Sequence, residues 1–232
     1  MLGPVEYIFW LLGILCEAGV VVCALRSGAF RRYLFLNLYM AACVVISICR
    51  YEVMSHYGFT SSAYLYFYYY SDAVLTVLLY FALTSLYAQV FGELEANRYV
   101  RLGAVVLLAA TAIFSYAVVQ QSSAKMLTHF VVELSQNLYF VGLVLTYLLW
   151  AAITKMRETR AQLVQLVLSL GLYFSLFAAN YALRNLYPSL SSLCISLLPV
   201  FGFVLPLAWA YAFWRLSTDE RIAPARLALV SR

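Results

Sequence analysis

Residues 67–81 read FYYYSDAVLTVLLYF: a carboxylate, Asp72, at the mouth of a run that is otherwise almost wholly aliphatic and aromatic. With its flanks the run extends from Tyr64 to Phe91. A helix rises about 1.5 Å per residue and needs about 20 mostly apolar residues to cross a hydrocarbon layer about 30 Å thick. A charge at the bilayer centre costs about 2.5–3.5 kcal/mol on insertion scales, against about 0.3–0.6 kcal/mol gained per Leu, Ile, Val or Phe. The run therefore inserts in spite of Asp72, and Asp72 then demands a partner or water.

The rest of the chain repeats the pattern. Of its 232 residues 65% are hydrophobic and 11% charged, and the mean hydropathy is +0.87. Ordinary globular domains are only about half apolar and about a quarter charged. Spans are expected at Gly3 to Leu25, Tyr33 to Met54, Tyr64 to Phe91, Tyr99 to Val119, Thr128 to Thr154, Ala161 to Leu186 and Leu190 to Leu216. The expected fold is an all-α integral membrane protein, a seven-transmembrane helix bundle over residues 1–217 followed by a short cytoplasmic tail, 218–232. A transmembrane barrel would alternate in polarity with period two, and these runs do not.

Lys and Arg set the orientation, because they are retained on the cytoplasmic side. Arg26, Arg31, Arg32, Arg98, Arg101, Lys155, Arg157, Arg160, Arg215, Arg221, Arg226 and Arg232 share one side of a seven-span chain, against Arg50, Lys125 and Arg184 on the other. The N-terminus is expected outside and the C-terminus inside. Topology and anionic lipid account for the net charge of +5 without nucleic acid. The first span is not a cleaved signal: it lacks a basic n-region, carries Glu6, and its apolar run is too long. Cys16, Cys23, Cys43, Cys49 and Cys194 all fall in spans without zinc-like spacing and read as packing residues.

The polar residues of the spans coincide in depth. Asp72, Glu133 and Asn137, Asn180 and Arg184, and Arg50 and Glu52 all lie in the outer third of their helices. Residues three or four apart share a helix face, and on that spacing each helix carries one polar stripe. These are His129, Glu133 and Asn137 on the fifth helix; Ser169, Tyr173, Asn180 and Arg184 on the sixth; Asp72, Thr76 and Tyr80 on the third. Glu6, Trp10, Gly13 and Glu17 line up on the first, and Ser189, Ser192 and Ser196 precede Pro199 on the seventh. Such stripes are expected to face the bundle interior. One reading is a polar outer cavity, floored by Pro199 and Pro206, with Asp72, Glu133, Asn137, Asn180, Arg50, Arg184, Tyr69 and Tyr173 as ligand-binding residues. The plainer reading is that Asp72 and Glu133 pair with Arg50 and Arg184 and fix helix register. The tyrosines from Tyr64 to Tyr70 form either an interfacial aromatic belt or the rim of a ligand site.

Other chemistries find little support. A retinal Schiff base needs a lysine inside the bundle, and Lys125 and Lys155 lie in loops. A single His129-x-x-x-Glu133 pair makes no metal site, and no phosphate loop, nucleophile–base pair or cofactor motif is legible. A small proton-coupled transporter, using Asp72, Glu133 or Glu17, stays open. So does a structural membrane subunit.

From Tyr68 to Phe91 the clustered aromatics, the Leu-rich core and the closing Tyr87-Ala-Gln-Val-Phe91 resemble a set of uncharacterised bacterial seven-helix membrane proteins. The resemblance covers this one helix. It implies a compact seven-span protein in a bacterial inner (cytoplasmic) membrane and carries over no functional residue. The expected function is a non-catalytic, sensor-like or accessory subunit that binds a small ligand and signals to a cytoplasmic or membrane protein partner.

Overall fold

The computed structural model describes residues 4–91, 97–120, 126–155 and 160–216. Among them are seven α-helices: α1 (Pro4–Arg26), α2 (Leu34–Tyr57), α3 (Ser62–Val90), α4 (Asn97–Gln120), α5 (Met126–Lys155), α6 (Ala161–Leu186) and α7 (Ser191–Arg215). A single 3-10 turn, Pro188–Leu190, leads into α7, and no strand occurs among the described residues. Six of these helices are long and apolar enough to cross a membrane. The fourth differs from expectation: its apolar run among the described residues is Val105–Ala117, behind a polar start, NRYVR. The tail at 218–232 lies outside the described residues, as do Lys125 and the side chains of Glu6 and His129.

Short connections force neighbouring helices to run antiparallel. After α2 the chain turns at Gly58, whose φ of 82° is a conformation that glycine adopts without the clash of a Cβ. Ser61 then caps α3, its hydroxyl accepting the Tyr64 N–H at 3.1 Å. Gly28, with φ 71°, serves the turn between α1 and α2.

Helix packing closes a ring in the order α1, α2, α3, α5, α6, α7 and back to α1, while α4 lies outside it against α5 and α3. Aromatic contacts fix the register. Tyr7 meets Tyr51 and Trp10 stacks on Tyr51 between α1 and α2, Phe9 meets Phe203 between α1 and α7, and Tyr39 meets Trp209 between α2 and α7.

The two ends of the ring are packed differently. The buried apolar core, including Val20 and Ala24 of α1, Leu36 and Met40 of α2, Leu83 and Leu86 of α3, Leu149 of α5, Leu163 and Leu166 of α6 and Trp209 and Phe213 of α7, gathers toward the end where α1 turns into α2. Polar side chains reach across helices there to carbonyls. Gln162 Nε2 donates to Ala212 O and Leu216 O at 3.3 and 3.2 Å, Gln89 Nε2 to Arg32 O at 2.9 Å, Arg160 Nη2 to Gln89 O at 3.1 Å, and Tyr87 OH to the Leu145 carbonyl. In lipid such bonds hold helices together where hydrophobic exclusion from water does not act. The other end, bearing the α2–α3 and α6–α7 turns, is hollow.

Candidate functional site

Arg50, near the end of α2, is held by α3 at four points. Its Nε donates to Ser71 Oγ at 2.8 Å and Nη2 to the Tyr68 carbonyl at 3.1 Å. Its guanidinium carbon lies 4.3 Å from the centre of the Tyr68 ring, and Nη2 is 3.9 Å from Asp72 Oδ1. Ser71 Oγ donates its own hydrogen bond to the Tyr68 carbonyl at 2.9 Å, so its oxygen is free to accept from Arg50. A planar guanidinium with five donors suits this fork of hydroxyl, carbonyl, ring and carboxylate. Part-exposure of the Arg50 and Asp72 side chains, 18% and 32%, leaves both reachable from the hollow.

That hollow has a volume of about 770 Å³ and is lined by all six ring helices and, among the described residues, by none of α4. Each long contribution follows the three-to-four spacing of a single helix face. On α6 the lining residues are Tyr173, Phe177, Tyr181 and Arg184; on α2, Tyr39, Cys43, Ser47 and Arg50; on α5, Val132, Ser135 and Tyr139; on α7, Ile195, Pro199, Gly202 and Pro206. Glu17 is the contribution of α1. It lies ten residues on from Tyr7, about 15 Å of helix rise, and Tyr7 is level with Tyr51 beside Arg50. Glu17 is thus at the floor, level with Tyr39 and Cys43, while Arg184 and Phe59 are at the mouth.

Rings wall the floor. Tyr139 stacks on Phe177 at 5.1 Å and 11°, Tyr173 meets Phe177 at 4.5 Å, and Tyr139 meets Tyr181 at 5.7 Å. Tyr139 also meets Tyr173 at 6.3 Å, which adds to the contact of α5 with α6. Prolines open the backbone of α7. Pro206 has no N–H to offer the Gly202 carbonyl and Pro199 none for Ile195, and all four residues line the cavity.

The residues singled out in the sequence divide between the cavity and its surroundings. Arg50, Asp72, Arg184, Tyr69, Tyr173 and Glu17 line it. Asn137 turns to α4, donating to Ser115 Oγ at 3.0 Å, and Asn180 donates to the Cys194 carbonyl at 2.8 Å, joining α6 to α7. Glu133 is half-buried beside the cavity rather than in its lining, and no described residue forms an ion pair with it. The serines Ser189, Ser192 and Ser196 are exposed, contrary to the expected inward stripe; Ser196 instead bonds the Leu193 carbonyl of its own helix. The tyrosine cluster splits by helix face: Tyr64, Tyr68 and Tyr69 line the cavity, whereas Tyr66 and Tyr70 are exposed on the outside.

Ser135, Tyr139, Phe177 and Tyr181 enter the site without having been singled out in the sequence. Their signal was present as spacing, since Tyr173, Phe177, Tyr181 and Arg184 form one face of α6. Among the described residues no group of three or more His, Cys, Asp or Glu side chains could hold a metal ion. No protein-family model, no curated protein and no solved structure matches the chain.

Proposed function

We propose that the chain is a seven-span membrane protein, N-terminus outside and C-terminus cytoplasmic, that binds a small ligand in its outer half without catalysis, as a sensor-like or accessory subunit. The observation that carries this reading is the contrast within one ring of helices. The six pack tightly at one end and enclose about 770 Å³ at the other, lined by Arg50, Asp72, Glu17, Arg184 and a set of tyrosines. Small-molecule sites have this size and this mixture of aromatic walls with a few placed polar groups. A core whose charges served only to set helix register would be expected to close to the density of other protein interiors.

The bias of Lys and Arg supports placing the hollow end outside. A helix lacking two backbone bonds at Pro199 and Pro206 is suited to repack when the cavity fills, which is the least a signalling element requires. Gly202 gives the test. A Cβ built there meets no atom within 4 Å, so Gly202→Leu adds bulk to the cavity wall without an immediate clash. Native mass spectrometry of the protein in nanodiscs, extracted with its own membrane, should find a small molecule on the wild type and none on Gly202→Leu. Identical spectra for the two, with no bound molecule on either, would contradict ligand binding.

One observation favours a second reading, a small proton-coupled transporter: Glu17 Oε2 is buried without a hydrogen-bond partner near mid-membrane. A proton flux in liposomes that vanishes with Glu17→Gln would select it.

A further inference from the structure

The wall of the cavity carries buried polar atoms that lack partners. Glu17 Oε2 is buried and receives no hydrogen bond, although its residue lines the cavity. Ser135 is only 3% exposed, lines the same cavity, and its hydroxyl likewise has no partner. Pro206 deprives the Gly202 carbonyl of the amide that would ordinarily bond it, and both residues line the cavity. A buried polar atom without a partner costs free energy, so Glu17 and Ser135, both on the wall of this one cavity, favour an occupant that brings hydrogen-bond donors.

Positive charge at this depth is already committed. Of the Lys and Arg residues among the described ones, Arg50 and Arg184 alone line the cavity. Arg50 is engaged by Ser71, Tyr68 and Asp72. Arg184 is eleven residues on from Tyr173 along α6, about 16 Å toward the mouth. The rest of the wall there mixes rings, Tyr39, Tyr139, Tyr173 and Phe177, with Met40, Cys43 and Leu205. Aromatic faces attract organic cations, and a carboxylate on the wall of the same cavity adds the anion that an ammonium site needs. A bare metal ion is a poorer fit, because it would take six or more oxygen ligands where this floor offers mostly carbon.

We infer that the ligand is an organic amine, its ammonium group seated at Glu17 among the tyrosines and its remainder extending toward the mouth. The inference rests on the ligand-binding reading above and specifies what is bound.

Three probes with one skeleton test it: 2-phenylethylamine, 2-phenylethanol and phenylacetate, titrated calorimetrically into the full chain in nanodiscs. The amine should bind about tenfold more tightly than the alcohol, and phenylacetate more weakly than either. Glu17→Gln should bring the ratio of amine to alcohol affinity from about ten down to about one. If Glu17→Gln does not fold, Phe177→Leu provides the second arm. It should weaken the amine about threefold relative to the alcohol, through loss of a ring face. A preference for phenylacetate, an amine preference that survives Glu17→Gln, or no amine binding at all would overturn the amine assignment. The ligand-binding reading is judged separately, by whether Gly202→Leu removes whatever the wild type does bind.

Discussion

Among single residues, Arg50 is the one that ties α2 to α3 in the cavity wall. Asp72 in an apolar run signals that a partner must exist, and that much is legible in the sequence. Which cation serves is not, because both Arg50 and Arg184 lie within reach in depth. The choice is made by Ser71 and the Tyr68 carbonyl, which fix the guanidinium at 2.8 and 3.1 Å. With those bonds in place, the 3.9 Å separation from Asp72 is only one of several attachments. The two partners should therefore respond unequally to mutation. Arg50→Met removes every attachment, leaving Ser71 Oγ without its donor and Asp72 without its cation, which should cost about 1–3 kcal/mol of stability in detergent. Asp72→Asn should cost less, since Arg50 keeps its other bonds. A double-mutant cycle should give a coupling of about 1 kcal/mol or below, because the pair is partly exposed. Equal losses from the two single variants would contradict this hierarchy.

At the scale of the element, two glycines make opposite claims. A Cβ on Gly142 of α5 would lie 2.5 Å from Phe174 Cε1 of α6, so the helices can approach this closely only because the side chain is absent. Gly142→Ala should destabilise the protein by about 1–3 kcal/mol, overpacking outweighing its better helix propensity. Gly202→Ala meets open space, and helix propensity alone should raise stability by up to about 1 kcal/mol. Thermal unfolding of the two variants side by side checks both signs. Helix faces were less legible than helices. On α5 the polar stripe through Glu133 and Asn137 was expected to look inward, yet Asn137 bonds Ser115 of α4. Periodicity finds a polar face but does not say whether a cavity or another helix satisfies it. The exposed serines of α7 follow the same logic, because a hydroxyl can bond a carbonyl of its own helix, as Ser196 does, without leaving the lipid-facing side.

At the scale of the whole molecule, apolar run length was enough to give the helices and nearly their ends. It could not give their order around the ring, since every span is apolar and the spatial neighbours of α4 are set by packing. The position of α4 outside the ring separates stability from binding. Asn137→Ala, which breaks the bond to Ser115, should cost about 0.5–1.5 kcal/mol in stability and leave ligand affinity as it was. A loss of affinity as large as that of Gly202→Leu would mean that α4 belongs to the site. Ligand binding as proposed requires a water-reachable, ligand-sized space inside the six-helix ring that opens outward. The most direct measurement labels Ser47→Cys, a part-exposed position of the cavity wall, with the five native cysteines replaced by Ala, using a membrane-impermeant thiol reagent on intact cells and on inverted vesicles. Modification from the outer side, suppressed when Gly202→Leu is added, is the expected result. Labelling from the cytoplasmic side only, or none from either side while Phe59→Cys at the mouth labels readily, would contradict the claim.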